Sequence, residues 1–413
     1  MADEEIDMRH VFIIGAKGIS FYGGYESFVQ KLLQYNNSDT IKYHVACKAN
    51  GEGAMDVSKL DGTGAISEGF GNVAGRFEYF GADCFLVKVN EKVGKAQAIT
   101  YDVEAIKECI RYIRDNAIRD AIVYVLACRI GPFFGKYVNR LHNLGAKVYL
   151  NPDGHEWKRS KWSAPVRKYW KESERIMVKN ADLIICDSIN IEKYIKAEHS
   201  KYSPNTTYIS YGAELRKSTL ADDDAQYVAW LNEHGLTRGN MYLQVGRFVP
   251  ENNFETVIRE FMKSKTTKDL VIISTPNEVL FEELERKYGF SKDNRIKFVG
   301  TVYDQELLMK IREDAYAYIH GHSVGGTNPS LLEALGSTKL NLLFDVGFNR
   351  EVAEDAGLYW DADKGSLSAV IDKADNLSEQ EVNDYGIKAK ERIENHYLWG
   401  DISRKYCEAF ENR

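Results

Sequence analysis

Short apolar runs alternate with amphipathic stretches along nearly the whole of this 413-residue chain, and the alternation runs through twice. In the first half, apolar runs at residues 11–14, 43–47, 84–89, 122–126, 147–150, 183–186 and 207–210 are separated by stretches such as 26–35 and 103–118, whose apolar positions recur with helical spacing. The pattern restarts beyond Tyr211-Gly212-Ala213-Glu214, with runs at 241–245, 270–274, 296–299, 315–319 and 340–344 and a helical stretch at 254–262. Alternating strand and helix periods predict a parallel sheet with helices on both faces. A chain of 413 residues exceeds one ordinary core, so the reading is α/β with two doubly wound, Rossmann-like domains. The boundaries are placed as a disordered tail over 1–7, a first domain over 8–214, a second over 215–385, and terminal helices over 386–413 that pack back on the first domain. Open parallel sheets bind ligands beyond the carboxyl ends of their strands, so two sheets facing one another predict a site in the cleft between them.

A hydrophobic share of 44% and a charged share of 28% are those of a soluble globular protein. The net charge of −7 argues against a nucleic-acid partner for the molecule as a whole, while leaving room for a local basic face. The six cysteines form no C-x-x-C pair and mostly sit in apolar runs, which predicts reduced core thiols. The opening Met1-Ala2-Asp3-Glu4-Glu5-Ile6-Asp7 is acidic where a secretory signal is basic and then apolar, and no apolar run approaches membrane-spanning length. A cytoplasmic protein is expected.

Three strand-to-helix turns carry the candidate chemistry. The first, residues 320–333, includes His322, Gly325, Gly326, Thr327, Asn328, Pro329 and Glu333. Its glycines let backbone approach a ligand, Asn328 suits an N-cap and Pro329 the first helical position, so unpaired amides and the helix dipole should favour a phosphate. Glu333, just over one turn further on, could accept hydrogen bonds from a sugar hydroxyl, and phosphate with hydroxyls suggests a nucleotide sugar. The second turn, residues 15–26, has Lys17 where the dinucleotide fingerprint needs a glycine, which removes the main support for a nicotinamide site. Gly23 and Gly24 at its helix start could still admit phosphate or sugar, with Lys17 adding charge. In the third, residues 245–254, Arg247 ends a strand. A guanidinium there can hold two phosphate oxygens and stay charged as a diphosphate departs, in place of a metal ion.

Taken together, Tyr22-Gly23-Gly24-Tyr25-Glu26, Val245-Gly246-Arg247 and the helix with Glu333 resemble the retaining glycosyltransferases of family 4, over nearly the whole chain. More narrowly, Gly15-Ala16-Lys17-Gly18, Asp153-Gly154-His155-Glu156-Trp157-Lys158-Arg159 and Gly325-Gly326-Thr327-Asn328-Pro329-Ser330 look like the bacterial rhamnosyltransferase branch. The resemblance implies a GT-B fold, a dTDP-L-rhamnose donor, and as acceptor a saccharide on a polyprenyl diphosphate lipid in cell-surface polysaccharide synthesis. Two positions depart from the family pattern. The first of its paired glutamates falls at Gly325, and the lysine that follows the V-G-R arginine by five residues falls at Asn252. The resemblance therefore implies an altered donor-sugar contact and more reliance on Arg247, Lys17 and backbone amides. Loss of a carboxylate is consistent with a 6-deoxy sugar, which presents fewer hydroxyls.

On the acceptor side, Asp153, His155 and Glu156 follow the 147–150 strand and offer acceptors for a sugar hydroxyl, with acid-base work possible for any of them. In the family, transfer is described as front-face, with the departing phosphate helping to deprotonate the acceptor, so no side chain need be the base. Beyond them Trp157, Lys158, Arg159, Lys161 and Trp162, with Tyr22 on the glycine-rich loop, form a candidate acceptor and membrane face. Interleaved cations and aromatics suit an anionic lipid surface, which would make the protein peripheral on the inner face of a bacterial plasma membrane; a solvated basic helix explains the same residues. Val302 and Tyr303, after the 296–299 strand, are candidate base contacts. His320 and His322 alternate without a nearby carboxylate or thiol, so no metal and no cofactor beyond the nucleotide sugar is expected. Two competing readings are a family 4 transferase using UDP-glucose or UDP-N-acetylglucosamine and a non-catalytic sugar-nucleotide-binding scaffold.

Overall fold

The structure, a computed structural model, describes residues 8–19, 23–60 and 63–412. The tail 1–7 and Tyr22 lie outside the described residues. The chain divides into two compact units, Met1–Tyr211 with Trp399–Arg413, and Gly212–Leu398.

The first unit begins with β1 (Arg9–Ile14), α1 (Gly24–Gln34), β2 (Ile41–Lys48), β3 (Ser67–Glu68), β4 (Val73–Tyr79) and β5 (Ala82–Val87). It continues with α2 (Gln97–Asp115), β6 (Ile122–Leu126), α3 (Gly131–His142), β7 (Lys147–Asn151), α4 (Ala164–Asn180), β8 (Leu183–Cys186), α5 (Ile189–Glu198) and β9 (Thr206–Tyr208). The sheet order is β3-β4-β5-β2-β1-β6-β7-β8-β9. β1 runs parallel to both β2 and β6, so chain order reverses there and a crevice opens past its carboxyl end.

One edge departs from the all-parallel expectation. β4 pairs antiparallel with β5, and β3 with β4. Phe80 and Gly81, with φ of 46° and 74°, make the two-residue turn between β4 and β5. Such turns need positive φ at both central residues, and a phenylalanine in the first place gives no sequence signal for one. The alternating burial of β4 marks a strand with only one face on the core.

Alternate residues of the central strands serve two cores. Phe12, Ile14, Val123, Val125, Val148 and Leu150 pack towards α2, α3 and α4. On the opposite face the rings of Tyr43, Tyr124 and Tyr149 meet Phe410, which comes from the end of the chain.

The second unit contains α6 (Ala225–His234), β10 (Met241–Val245), α7 (Phe254–Phe261), β11 (Asp269–Ile273), α8 (Glu278–Tyr288) and β12 (Ile296–Phe298). It is completed by α9 (Gln305–Asp314), β13 (Ala317–His320), α10 (Pro329–Ser337), β14 (Asn341–Phe344), α11 (Gly347–Ala353), β15 (Leu358–Trp360), α12 (Ser366–Asp375) and α13 (Glu379–His396). Its strands are all parallel, in the order β12-β11-β10-β13-β14-β15, with the reversal between β10 and β13. Tyr242, Leu270, Ile272 and Ile319 feed one core, and Met241, Leu243, Val271 and Tyr318 the other, as the period of two requires.

The returning segment is shorter than 386–413. α13 stays in the second unit, where Gly386 lets it approach Lys339 so closely that an added Cβ would lie 3.1 Å from the Lys339 backbone. Only the last helix, α14 (Trp399–Glu411), joins the first unit, burying Trp399, Tyr406 and Phe410. All six cysteines are buried and unbridged. No helix among the described residues is long and apolar enough to cross a membrane.

Candidate functional site

In the second unit, the order reversal sets the end of β10 beside the end of β13. The Tyr318 hydroxyl holds them there, reaching the Val245 carbonyl at 3.2 Å and the Ser330 hydroxyl in the first turn of α10 at 2.8 Å. Arg247 follows β10 directly and is exposed. Its guanidinium makes no hydrogen bond or ion pair among the described residues, so it is not the partner of Glu251.

Asn252 binds this turn together. Its Nδ2 donates to the Arg247 carbonyl at 2.8 Å, and its Oδ1 lies 2.9 Å from His322 Nδ1. Ser323 clasps the same turn from the other side, its backbone N–H and its hydroxyl both donating to the Glu251 carbonyl. His320, at the end of β13, is buried with its Nε2 unpartnered among the described residues. Burial, and then the neighbouring His322, holds its pKa well below the ordinary value, so it stays neutral.

The loop before α10 differs from expectation in where its free amides lie. Asn328 does cap the helix, accepting from Ser330 N–H at 2.9 Å, and Pro329 has no N–H to give. The amides of Leu331 and Leu332 bond back to the Asn328 carbonyl, so the first turn of α10 is satisfied internally. The amides of Gly325, Gly326 and Asn328 make no hydrogen bond among the described residues. A ligand anion would therefore meet the loop and the dipole behind it, not the helix amides.

Glu333 does not face solvent alone. One carboxylate oxygen lies 2.7 Å from a guanidinium nitrogen of Arg312, a residue only 4% exposed. Arg312, in α9, carries no recognisable motif, and only the packing of α9 against α10 makes it part of the site. Val302 and Tyr303 lie on the loop between β12 and α9, with Tyr303 exposed. Among the described residues no group of three or more potential metal ligands gathers anywhere.

The first unit has a corresponding crevice where β1 and β6 end. Gly15, with φ of 109°, passes so near Leu126 that an added Cβ would lie 2.3 Å from its carbonyl oxygen, a position only glycine can hold. Arg129 anchors this loop, donating to the Gly15 carbonyl at 2.8 Å and to Asp102 at 3.1 Å. Asp102 is fully buried, and burial, opposed by Arg129, raises its pKa to about 6. Neither residue stood out in the sequence, although Arg129 occupies the same strand-end position that singled out Arg247.

At the start of α1, the Glu26 carboxylate accepts from Lys17 N–H at 3.0 Å and sits where a Cβ on Gly23 would come within 2.3 Å of it. A carboxylate against Gly23 disfavours phosphate there and suits a hydroxyl-bearing ligand, so of the two expectations for this loop it is the sugar that the contact favours. The Lys17 side chain runs beside Gly53 and near Lys48 instead.

Asp153, His155 and Glu156 share one loop but three environments. Asp153 and His155 both have positive φ, 58° and 50°, a strained backbone of the kind found at binding sites. Asn151 fixes the loop, its side-chain oxygen accepting from Asp153 N–H at 2.9 Å and from the Tyr25 hydroxyl at 3.3 Å. The His155 ring packs on Tyr194 with centroids 4.1 Å apart, and burial, then Lys158, lowers its pKa. Glu156 is already committed to Arg159, to Lys161 at 3.1 Å and to Trp162 Nε1 at 2.9 Å. The Glu156 carboxylate is thus held by three neighbouring side chains.

The same contacts correct the interfacial face. Arg159 is turned inward onto Glu156, with Asp153 3.9 Å away, and is only 16% exposed. Trp157 donates to the Tyr194 hydroxyl at 3.2 Å, and the ammonium groups of Lys158 and Lys171 lie over its ring. Lys161 lies over Trp162. A concavity of about 680 Å³ opens beside Trp157, lined by Arg167, Lys168, Lys171, Arg175 and Lys201 with Glu172 and Glu198.

A family profile described as "Domain of unknown function (DUF1972)" matches residues 8–214. No curated protein matches the chain. Among solved structures, a sucrose-phosphate synthase from Thermosynechococcus elongatus superimposes with a TM-score of 0.71 at 15% identity, over 98% of both chains. HepE of Anabaena, in complex with UDP and glucose, gives 0.70 at 12% identity over 98% of this chain and all of that one. A trehalose-6-phosphate synthase from Burkholderia multivorans gives 0.68 at 12% identity over 98% and 96%. At such identities the likeness is one of fold, and the fold is GT-B: two Rossmann-like domains, each on a sheet that is parallel apart from one edge of the first.

Proposed function

We infer that this chain, which belongs to the family described as domain of unknown function 1972, is a retaining glycosyltransferase that uses a nucleotide sugar. One observation carries the reading: a guanidinium, Arg247, and the amides of Gly325, Gly326 and Asn328, all unpaired among the described residues, occur on the loops that follow β10 and β13 at the strand-order reversal of the second unit. A cation and open amides at one strand-end crevice suit a departing nucleoside diphosphate. The anomeric C–O bond to the diphosphate breaks, a bond to the acceptor oxygen forms on the same face, and the acceptor proton passes to the leaving phosphate. Asp153 or the neutral His155 then serves to orient the acceptor hydroxyl. Arg247 and the amides supply the countercharge, so turnover is expected without a divalent ion; activity lost in EDTA and restored by magnesium would contradict this.

The donor is read as dTDP-L-rhamnose and the acceptor as a saccharide on a polyprenyl diphosphate lipid, in bacterial surface polysaccharide synthesis. Gly325 supports the donor assignment: with φ of 135° its backbone resists any side chain, so the carboxylate the wider family places there is not merely absent but disfavoured. The exposed cations around Trp157 support contact with an anionic membrane, on its cytoplasmic face. A UDP-glucose donor is the second reading, favoured by neighbours solved with UDP, glucose or UDP-glucose. Dissociation constants for dTDP-L-rhamnose and UDP-glucose decide between them, and a clear preference for the uridine donor rejects rhamnose. Product formation separates both from a non-catalytic scaffold.

A further inference from the structure

The loop that carries His155 rests on a corner made by two aromatic rings. Tyr194 comes from α5 and Trp157 from the turn just after His155, and the Trp157 indole donates to the Tyr194 hydroxyl at 3.2 Å. An indole N–H can only donate, so the phenol oxygen accepts there and its own proton goes to Glu174 Oε1 of α4, 2.6 Å away. His199 Nε2 lies 3.0 Å from the same carboxylate oxygen, and Glu174 and His199 are both buried. Burial, and then Glu174, holds the Tyr194 phenol well above its ordinary pKa, so the proton stays on it. Buried polar groups linked in this way rigidify what they touch.

The His155 imidazole lies in the corner. Its centroid is 4.1 Å from that of Tyr194 at a tilt of 48°, and 6.1 Å from that of Trp157 at 70°. Neither ring nitrogen makes a hydrogen bond among the described residues, and the residue is half-buried. The direction of this imidazole is therefore set by packing, with both nitrogens left for a ligand. Its backbone is left-handed, with φ of 50°, a conformation that persists only where the surroundings fix it.

We propose that Tyr194 is a positioning residue for sugar transfer: pinned by Glu174, its ring holds the His155 imidazole where one ring nitrogen meets the acceptor hydroxyl. This rests on the transferase reading above, and it selects His155 over Asp153 as the group that touches the acceptor. Tyr194 itself need not reach substrate. A neutral imidazole offers one donor and one acceptor, so a wrong tilt costs orientation of the reacting oxygen and not binding of the donor.

The test uses the full chain, with dTDP-L-rhamnose and UDP-glucose as donors and polyprenyl diphosphates carrying one or two sugars as acceptors, and takes the pair that the parent turns over fastest. Tyr194→Leu is expected to lower kcat roughly tenfold while KM for the donor changes less than about twofold. In a His155→Ala background the same substitution costs less than about twofold, because the group it positions is gone. Tyr194→Phe keeps the ring without the hydroxyl and should retain part of the rate. Should Tyr194→Leu not fold, Tyr194→Phe carries the same cycle, with a loss of roughly threefold in the parent and none in His155→Ala. Losses that multiply in the double variant, a donor KM that rises as far as kcat falls, or a single variant at either position as fast as the parent overturn the role of Tyr194 and leave the transferase reading standing. A parent that transfers to none of the acceptors overturns both.

Discussion

Arg312 and Glu333 form an ion pair at 2.7 Å in which the guanidinium is almost wholly buried and the carboxylate is 31% exposed. The asymmetry decides what each substitution costs. Removing the carboxylate takes an ion pair from a buried cation, whereas removing the cation leaves an anion that water can reach. Glu333→Ala is expected to lower the unfolding free energy by about 3 kcal/mol and Arg312→Met by roughly 1 kcal/mol. Urea midpoints check this, and equal losses would contradict it.

The Arg247 guanidinium has no partner to lose among the described residues. Arg247→Ala should leave the urea midpoint within about 0.5 kcal/mol of the parent while transfer falls roughly a hundredfold or more. Arg247→Lys keeps the charge without the fork and should fall between. Turnover that survives the alanine variant would remove the residue from the mechanism.

Burial raises the Asp102 pKa to about 6 in the folded state, against 3.8 for the free side chain. The folded protein thus holds this proton more tightly, so the associated stability is fully present below pH 3.8 and is lost as pH rises through about 6. Asp102→Asn cannot ionise. Its unfolding free energy minus that of the parent should therefore shift in favour of the variant by about 2 kcal/mol between pH 4 and pH 7. Taking the difference cancels other carboxylates, such as Glu306, held down to about 2 chiefly by Arg216. A pH-independent difference would show that Asp102 does not titrate in this range.

Charge reversal should separate the two kinds of cation near Trp157. Lys158 and Arg167 are exposed, and Lys158→Glu with Arg167→Glu should reduce co-sedimentation with anionic vesicles several-fold without loss of stability, at about 1 kcal/mol per cation. Arg159 is paired to Glu156, so Arg159→Glu should lower the thermal midpoint instead. Unchanged sedimentation of the double variant would sink the membrane contact.

The central strands were legible because they are short apolar runs in which nearly every residue is buried, as in β6 and β13. The Gly325 loop and the capped start of α10 were legible because glycine, asparagine and proline each impose a local conformation. The β4–β5 hairpin was not, since its turn residue Phe80 belongs to no turn signature. Glu156 and Arg159 were legible only in part for a related reason: their residue types suited substrate and membrane, and nothing local announced that they would pair with each other within one turn. Lys48, Asp102, Arg129 and Arg312 escaped notice because nothing local marks a charged residue that will be buried.

From the sequence alone came the two α/β domains and the glycine-rich turns, because apolar periodicity and backbone freedom are properties of neighbouring residues. The tertiary structure alone decided which charges remain available to a ligand. Among the described residues the Arg247 guanidinium is left open, one oxygen of Glu333 is taken by Arg312, and His322 Nδ1 is held by Asn252. Those outcomes depend on segments tens of residues apart meeting at a strand end, where desolvation makes each buried charge find a partner and only the remainder is left for chemistry.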